Sequence, residues 1–206
     1  MPITLSFVSS GGAIVHDISA TEDSMWISAI ENTGQRGNAS GFLAEGIQLV
    51  NAFPENKPKL LYTRLKELLA DGRFLTSCRF ISVELSKIKM NVCHVGDFRL
   101  YASCHGDLYH TTEHTVANST REELRDYGFE FQEYHKNILL KGLNAEQSGC
   151  FEASWVLGLP YVFYIISNGF HNGQGYLDYW ATLSSGDIVD LKTFDIDYFV
   201  LKGVVS

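Results

Sequence analysis

The sequence is poor in the residues that make linkers, staples and membrane spans. Only 4 prolines occur in 206 residues, and the 18 glycines are spread rather than clustered, so no stretch has the composition of an interdomain linker or a low-complexity segment. The 4 cysteines, Cys78, Cys93, Cys104 and Cys150, include no short-spaced pair. That argues against a disulfide framework and leaves buried thiols as the expectation. No apolar run approaches the roughly 18 residues of a membrane span; the nearest is Tyr161–Ile166. The segment Met1–Phe7 has no basic region leading into a long apolar run, so no signal peptide is expected and the protein is expected to be soluble and cytoplasmic. Positive charge is also scarce: 16 Lys and Arg stand against 24 Asp and Glu, a net −8, with no basic block. Such a field repels phosphate backbones and anionic lipid, so neither nucleic acid nor a membrane surface is an expected partner.

Chemical signatures are missing too. There is no Gly-x-Ser-x-Gly elbow, no P-loop, no Gly-x-Gly-x-x-Gly after a strand and no repeat of 20–50 residues. Nucleotide binding through the common loops and acyl transfer through a serine elbow are thereby set aside. The ordinary balance of 45% hydrophobic and 19% charged residues predicts a single packed domain over 1–206.

The order of elements is legible in outline. Apolar stretches at Ile3–Val8 and Met25–Ile30 predict two strands separated by a loop. Leu43, Ile47 and Val50 share a helical face, and a second helix is predicted from about Pro58 to Ala70, with Leu61, Leu65, Leu68 and Leu69 at helical spacing and Gly72 as its stop. Strands follow at Arg79–Leu85, Lys89–Val95, Arg99–Ser103 and Asp107–Tyr109, the last two joined at His105-Gly106. A short polar helix near Thr120–Tyr127, an apolar Ile138–Leu140 segment, and strands at Tyr161–Ser167 and Tyr198–Val205 complete the chain. Strands and helices come in blocks, which favours antiparallel sheets flanked by helices over a doubly wound parallel sheet.

Two constellations invite a metal. Cys93, His94, Cys104, His105, His110 and His114 suggest zinc, but Cys93-His94 and Cys104-His105 are neighbours in strand-like sequence and point to opposite faces, so each pair has one ligand to offer a common site. The second set consists of acidic and small residues at strand ends: Glu22-Asp23-Ser24, Glu31-Asn32-Thr33-Gly34, Gly96-Asp97, Ser167-Asn168-Gly169 and Asp195-Ile196-Asp197. Taken singly these are ordinary turn sequences. Together they are what a two-metal phosphoryl-transfer site needs, because hard divalent ions require several oxygen ligands converging from different strands.

This order of motifs resembles the metal-dependent type 2C (PPM) serine/threonine phosphatases. Val95-Gly96-Asp97-Phe98-Arg99 is similar to the family's Val-Gly-Asp-Ser-Arg strand, Gly106-Asp107-Leu108 to its hairpin, and Thr111-Thr112-Glu113-His114-Thr115 to the Thr-x-Asp-His-Ser segment that follows. Asn137–Leu143 resembles Asn-Val-Leu-Thr-Arg-Ala-Leu, Ser167-Asn168-Gly169 resembles Ser-Asp-Gly, and Glu22-Asp23 falls where the family has Asn-Glu-Asp. The resemblance implies an α+β, four-layer α-β-β-α sandwich of two antiparallel sheets flanked by helices. It also implies degenerate metal positions at Asp23, Glu31, Asn32, Asn168 and Asp195, with Asp97, Arg99 and Gly169 as motif residues that serve the fold.

The departures fall on the catalytic positions. Glu31-Asn32 stands for the family's metal-bridging Asp-Gly, with a stem longer by about 1.5 Å where ligand distances hold to about 0.2 Å. Asn168 replaces an aspartate, and Phe194 meets the last metal-binding aspartate unless the register slides by one to Asp195. The phosphate-binding arginine is replaced by Asp17 or Ile18. The resemblance therefore implies a pseudophosphatase: an intracellular binding or regulatory module with protein partners, a phosphoprotein among the candidates, and no cofactor. The alternative is a divergent phosphatase using Asp23, Glu31, Asn168 and Asp195 around Mn²⁺ or Mg²⁺. An unrelated α/β protein with coincidental motifs is a third reading.

Overall fold

The structure, a computed structural model, describes residues 2–10, 14–32, 38–51, 56–72, 78–112, 114, 142–144, 149–167 and 198–206. Strands β1 (Ile3–Ser10), β2 (Ile14–Ala20) and β3 (Ser24–Asn32) come first, followed by helices α1 (Ala39–Val50) and α2 (Lys57–Ala70). Then come β4 (Cys78–Ser86), β5 (Lys89–Val95), β6 (Arg99–Cys104), β7 (Asp107–His110), β8 (Phe151–Val156), β9 (Tyr161–Ile166) and β10 (Tyr198–Val205). The strands form two five-stranded sheets, ordered β1-β10-β9-β6-β7 and β2-β3-β4-β5-β8, and every named pairing is antiparallel.

The two periods of the sequence set the layers. Along β3, Ile27 and Ala29 face the other sheet, while Trp26 and Ile30, one residue out of phase, face the helices. Along β4, Ile81, Val83 and Leu85 join the inter-sheet core with Leu100, Phe163, Ile165, Phe199 and Leu201, and Phe80 goes to the helical side. There it meets Phe42, Leu43, Leu61, Leu65 and Leu68, the buried stripes of α1 and α2. Burial on both faces is why β3 and β4 read as near-continuous apolar runs rather than an alternation.

Local chemistry agrees at the element ends. Asn38 caps α1 by accepting a hydrogen bond from the Gly41 N–H at 2.8 Å, and α2 begins with a proline in its first turn, where the missing N–H costs nothing. The β6–β7 hairpin turns on His105 at φ 51° and Gly106 at φ 93°, the left-handed pair that a two-residue hairpin turn requires.

Two strands escape the sequence reading. The first 30 residues hold three strands rather than two, because Ile14–Ala20 is β2; it is an edge strand, only half-buried, and His16, Asp17 and Ser19 dilute its apolar signal. Strand β8, Phe151–Val156, is the opposite edge of the same sheet and alternates between half-buried and exposed positions. Both are paired by register to a buried neighbour, β3 and β5 respectively. The expected helix at Thr120–Tyr127 and the Ile138–Leu140 segment lie outside the described residues. Among the described residues no helix is long and apolar enough to cross a membrane.

Candidate active site

Topology gathers one end of the sandwich. Strand β3 ends there at Glu31-Asn32, β4 begins there beside it with Cys78-Arg79, and the β5–β6 turn Gly96-Asp97 follows on the other side of β4. In the other sheet, β1-β10-β9-β6-β7, Arg99 at the start of β6 pairs with Ile166 at the end of β9, so β9 delivers Ser167 to the same end. Ser167 is tied in place by its N–H donating to Phe199 O and its Oγ accepting from the Phe199 N–H, both at 2.9 Å. Asn168, Gly169, Phe194, Asp195 and Asp197 lie outside the described residues.

An arginine stands at the centre of this end. Arg79 faces Glu31 across the β3–β4 ladder, and its Nη1 donates to Glu31 Oε1 at 2.7 Å. On its other side Nε lies 2.6 Å from Asp97 Oδ1. The side chains of Glu31 and Asp97 are only 10% and 2% exposed, so a single guanidinium holds two carboxylates with little water to screen them. The turn that presents Asp97 depends on Gly96: its φ is +108°, and a Cβ there would stand 3.1 Å from Arg79 Cβ and Cγ. Burial pushes the Asp97 carboxyl above its usual range, while Arg79, its own backbone N–H and Arg99 pull it back.

Thr111 and His114 are bonded to the strand and turn that carry Asp97 and Arg99. Thr111 exchanges main-chain and side-chain bonds with Leu100, its Oγ1 accepting from the Leu100 N–H at 3.0 Å. His114 donates its N–H to Gly96 O at 2.9 Å and accepts the Gly96 N–H at Nδ1, 3.2 Å. Beneath it His94 is fully buried between His114 and Phe151, each ring 5.1 Å away, and burial followed by the neighbouring His114 lowers it to about 3, so it is neutral. Arg99 is 7% exposed and donates to the Tyr101 hydroxyl at 3.4 Å.

Asp23 is not part of this assembly. It precedes β3, whereas Glu31 lies eight residues further along the strand, a separation of about 26 Å at the usual rise. It is 81% exposed and faces Lys87 at 3.5 Å, at the opposite end of the sheet. A carboxylate reaching Glu31 from β2 would have to stand near Ile14, which is opposite Glu31 in the ladder. The same misregister leaves Asp17 and Ile18 in the middle of β2, opposite Ser28 and Ile27. Of the expected metal positions among the described residues, the structure links Glu31 to Asp97 through Arg79, and Asn32 follows Glu31 at the end of β3.

No protein-family model matches the sequence, and no curated protein matches it. Solved structures do. The serine/threonine phosphatase Stp1 from Staphylococcus aureus superposes with a TM-score of 0.74 at 12% identity, over 100% of this chain and 96% of that one. RsbX in complex with magnesium gives 0.69 at 12%, covering 99% and 96%. The catalytic domain of the phosphatase PstP in complex with 2 manganese ions gives 0.66 at 12%, covering 99% of each chain. The chain has the type 2C phosphatase fold.

Hard divalent ions such as the magnesium and manganese of two of those structures require converging oxygen ligands, and of the positions expected to supply them Asn168 and Asp195 lie outside the described residues. Among those residues no group of three or more His, Cys, Asp or Glu is placed to hold a metal. The two carboxylates at the strand end are held on Arg79, whose fixed positive charge faces the space between them. Sequence reading passed over Arg79, which looked like the first residue of a strand. Its position between two acids comes from a ladder register and a turn, and neither is written locally in the sequence.

Proposed function

We propose that this chain is a degenerate type 2C phosphatase-fold protein that works as a binding or regulatory module rather than by two-metal hydrolysis. The observation that carries the reading is Arg79 ion-paired with both Glu31 and Asp97. In a two-metal site the cations lower the pKa of a bridging water so that it can attack phosphorus, and a guanidinium, which coordinates no water, cannot supply that activation. Asn168 in place of an acid and Phe194 at the last motif weaken the ligand set further. The net charge of −8 supports a protein partner over a nucleic acid, and free Cys78, Cys93, Cys104 and Cys150 support a reducing, intracellular setting. Among protein partners, a phosphoprotein is the class the fold favours by analogy.

The test is calorimetric titration with Mn²⁺ and Mg²⁺ alongside p-nitrophenyl phosphate hydrolysis, on the natural chain and on an Arg79→Ser, Asn168→Asp, Phe194→Asp triple variant. The expected result is a natural chain that neither binds nor turns over and a variant that binds Mn²⁺. Tight binding and turnover by the natural chain would make it a divergent Mn²⁺- or Mg²⁺-dependent phosphatase and overturn the reading.

A further inference from the structure

Away from the strand-end site, the helical face of the second sheet holds a cluster of thiols and charges that the proposed function does not use. Cys93 in β5 lies opposite Glu152 in β8, and Cys150, two residues before Glu152, projects to the same face as its diagonal neighbour. Cys93 belongs to the buried cluster beneath α1 and α2, and Cys150 packs against that same cluster, so the two thiols share this side of the sheet. Lys59, from the first turn of α2, sets its Nζ 3.5 Å from Cys150 Sγ while ion-pairing with Glu152, and Glu152 Oε1 is itself 3.5 Å from that sulfur. Tyr62 flanks the group, its ring 5.4 Å from Lys59 Nζ. Cys93 is 1% exposed and Cys150 only partly buried, so the pair has one sulfur that reagents reach and one that they do not.

We propose that Cys150 is a peroxide-reactive nucleophile and Cys93 its resolving thiol. The Cys150 thiolate attacks one oxygen of hydrogen peroxide; an S–O bond forms, the O–O bond breaks, and the departing hydroxide takes a proton to leave as water. Cys93 then gives up its proton and attacks the Cys150 sulfenic acid. The S–O bond breaks, a second water leaves, and a disulfide remains: two thiols are oxidised and one peroxide is reduced to two waters.

The surroundings favour this division of labour. The neighbouring Cys93 thiol and the Lys59 ammonium lower Cys150 against the opposing pull of burial and Glu152, whereas the neighbouring Cys150 and burial drive Cys93 upward. Cys150 precedes the first ladder pair of β8, Phe151 with His94, so its backbone is free of the register and can close the diagonal to the Cα separation of less than about 7 Å that a disulfide needs. Cys78 and Cys104 are buried singly, and burial drives Cys78 up to about 12, so they serve as unreactive internal standards.

The test uses the reduced full chain, limiting hydrogen peroxide, and peptide mapping after rapid alkylation. The expected result is a Cys93–Cys150 linkage before any change at Cys78 or Cys104. In Cys93→Ser, the expected product is a dimedone-trapped sulfenic acid at Cys150. In Lys59→Met, iodoacetamide should alkylate Cys150 at pH 7 several-fold more slowly, because losing the neighbouring ammonium raises the thiol and reduces its thiolate fraction. Oxidation of Cys150 no faster than Cys104, or an unchanged alkylation rate in Lys59→Met, would overturn the proposal. Metal binding and phosphatase assays are independent of it, so its failure and that of the pseudophosphatase reading are distinguishable.

Discussion

Replacing Arg79 by methionine keeps most of the aliphatic stem and removes only the charge. Glu31 and Asp97 then face each other without a cation, with side chains 10% and 2% exposed. Removing one partner of such a buried pair costs about 3–5 kcal/mol, because the remaining charges cannot recover their hydration. In a domain of about 200 residues each kcal/mol moves Tm by roughly 2–4 °C, so the variant should melt about 6–20 °C below the natural chain. Differential scanning calorimetry at pH 7.5 measures this directly. A second substitution, Glu31→Gln, should recover part of the loss if charge is responsible, and should recover none if packing is. Divalent cation supplies the sharper arm: at one hundred times its Kd, Mn²⁺ adds about 2.7 kcal/mol to whichever protein binds it. The Arg79→Ser, Asn168→Asp, Phe194→Asp protein should gain that stabilisation and the natural chain should not. An Arg79→Met variant within about 0.5 kcal/mol of the natural chain, the size of an ordinary surface substitution, would refute the reasoning, and so would an equal Mn²⁺ shift in the triple variant and the natural chain.

Two further perturbations probe the same architecture. His94 is neutral in the folded chain, lowered to about 3, while an unfolded histidine titrates near 6.5. The unfolded state therefore binds the extra proton between these values, and stability falls as pH drops below about 6.5, by about 2 kcal/mol at pH 5. Urea denaturation of His94→Leu should show that much less pH dependence than the natural chain between pH 7 and 5; equal slopes would mean that His94 takes up its proton while folded. Asp23→Asn, at an 81% exposed position paired loosely with Lys87, should change stability by less than about 0.5 kcal/mol and leave any response to Mn²⁺ untouched. Loss of a metal response in Asp23→Asn alone would return that carboxylate to the site.

The sequence by itself determined the layers. The buried stripes of α1 and α2, the apolar runs of β3 and β4, and the Gly106 hairpin follow from periods of 3.6 and 2 and from backbone permissions that act over a few residues. The motif order around Val95-Gly96-Asp97-Phe98-Arg99 was enough to suggest the type 2C fold that the solved structures share. Edge strands β2 and β8 were not legible, because an edge buries little and its pairing partner, not its own composition, makes it a strand. The site was legible only in part. Glu31, Asn32, Asp97 and Arg99 could be named from their motifs, but Asp23 was placed with them on motif order alone, and the extended length of β3 holds it a strand away from Glu31. Arg79 belongs wholly to the tertiary structure. Its meaning arises where a ladder sets it beside Glu31 and a glycine turn folds Asp97 onto its other side, two contacts spanning 48 and 18 residues of chain that no local pattern encodes.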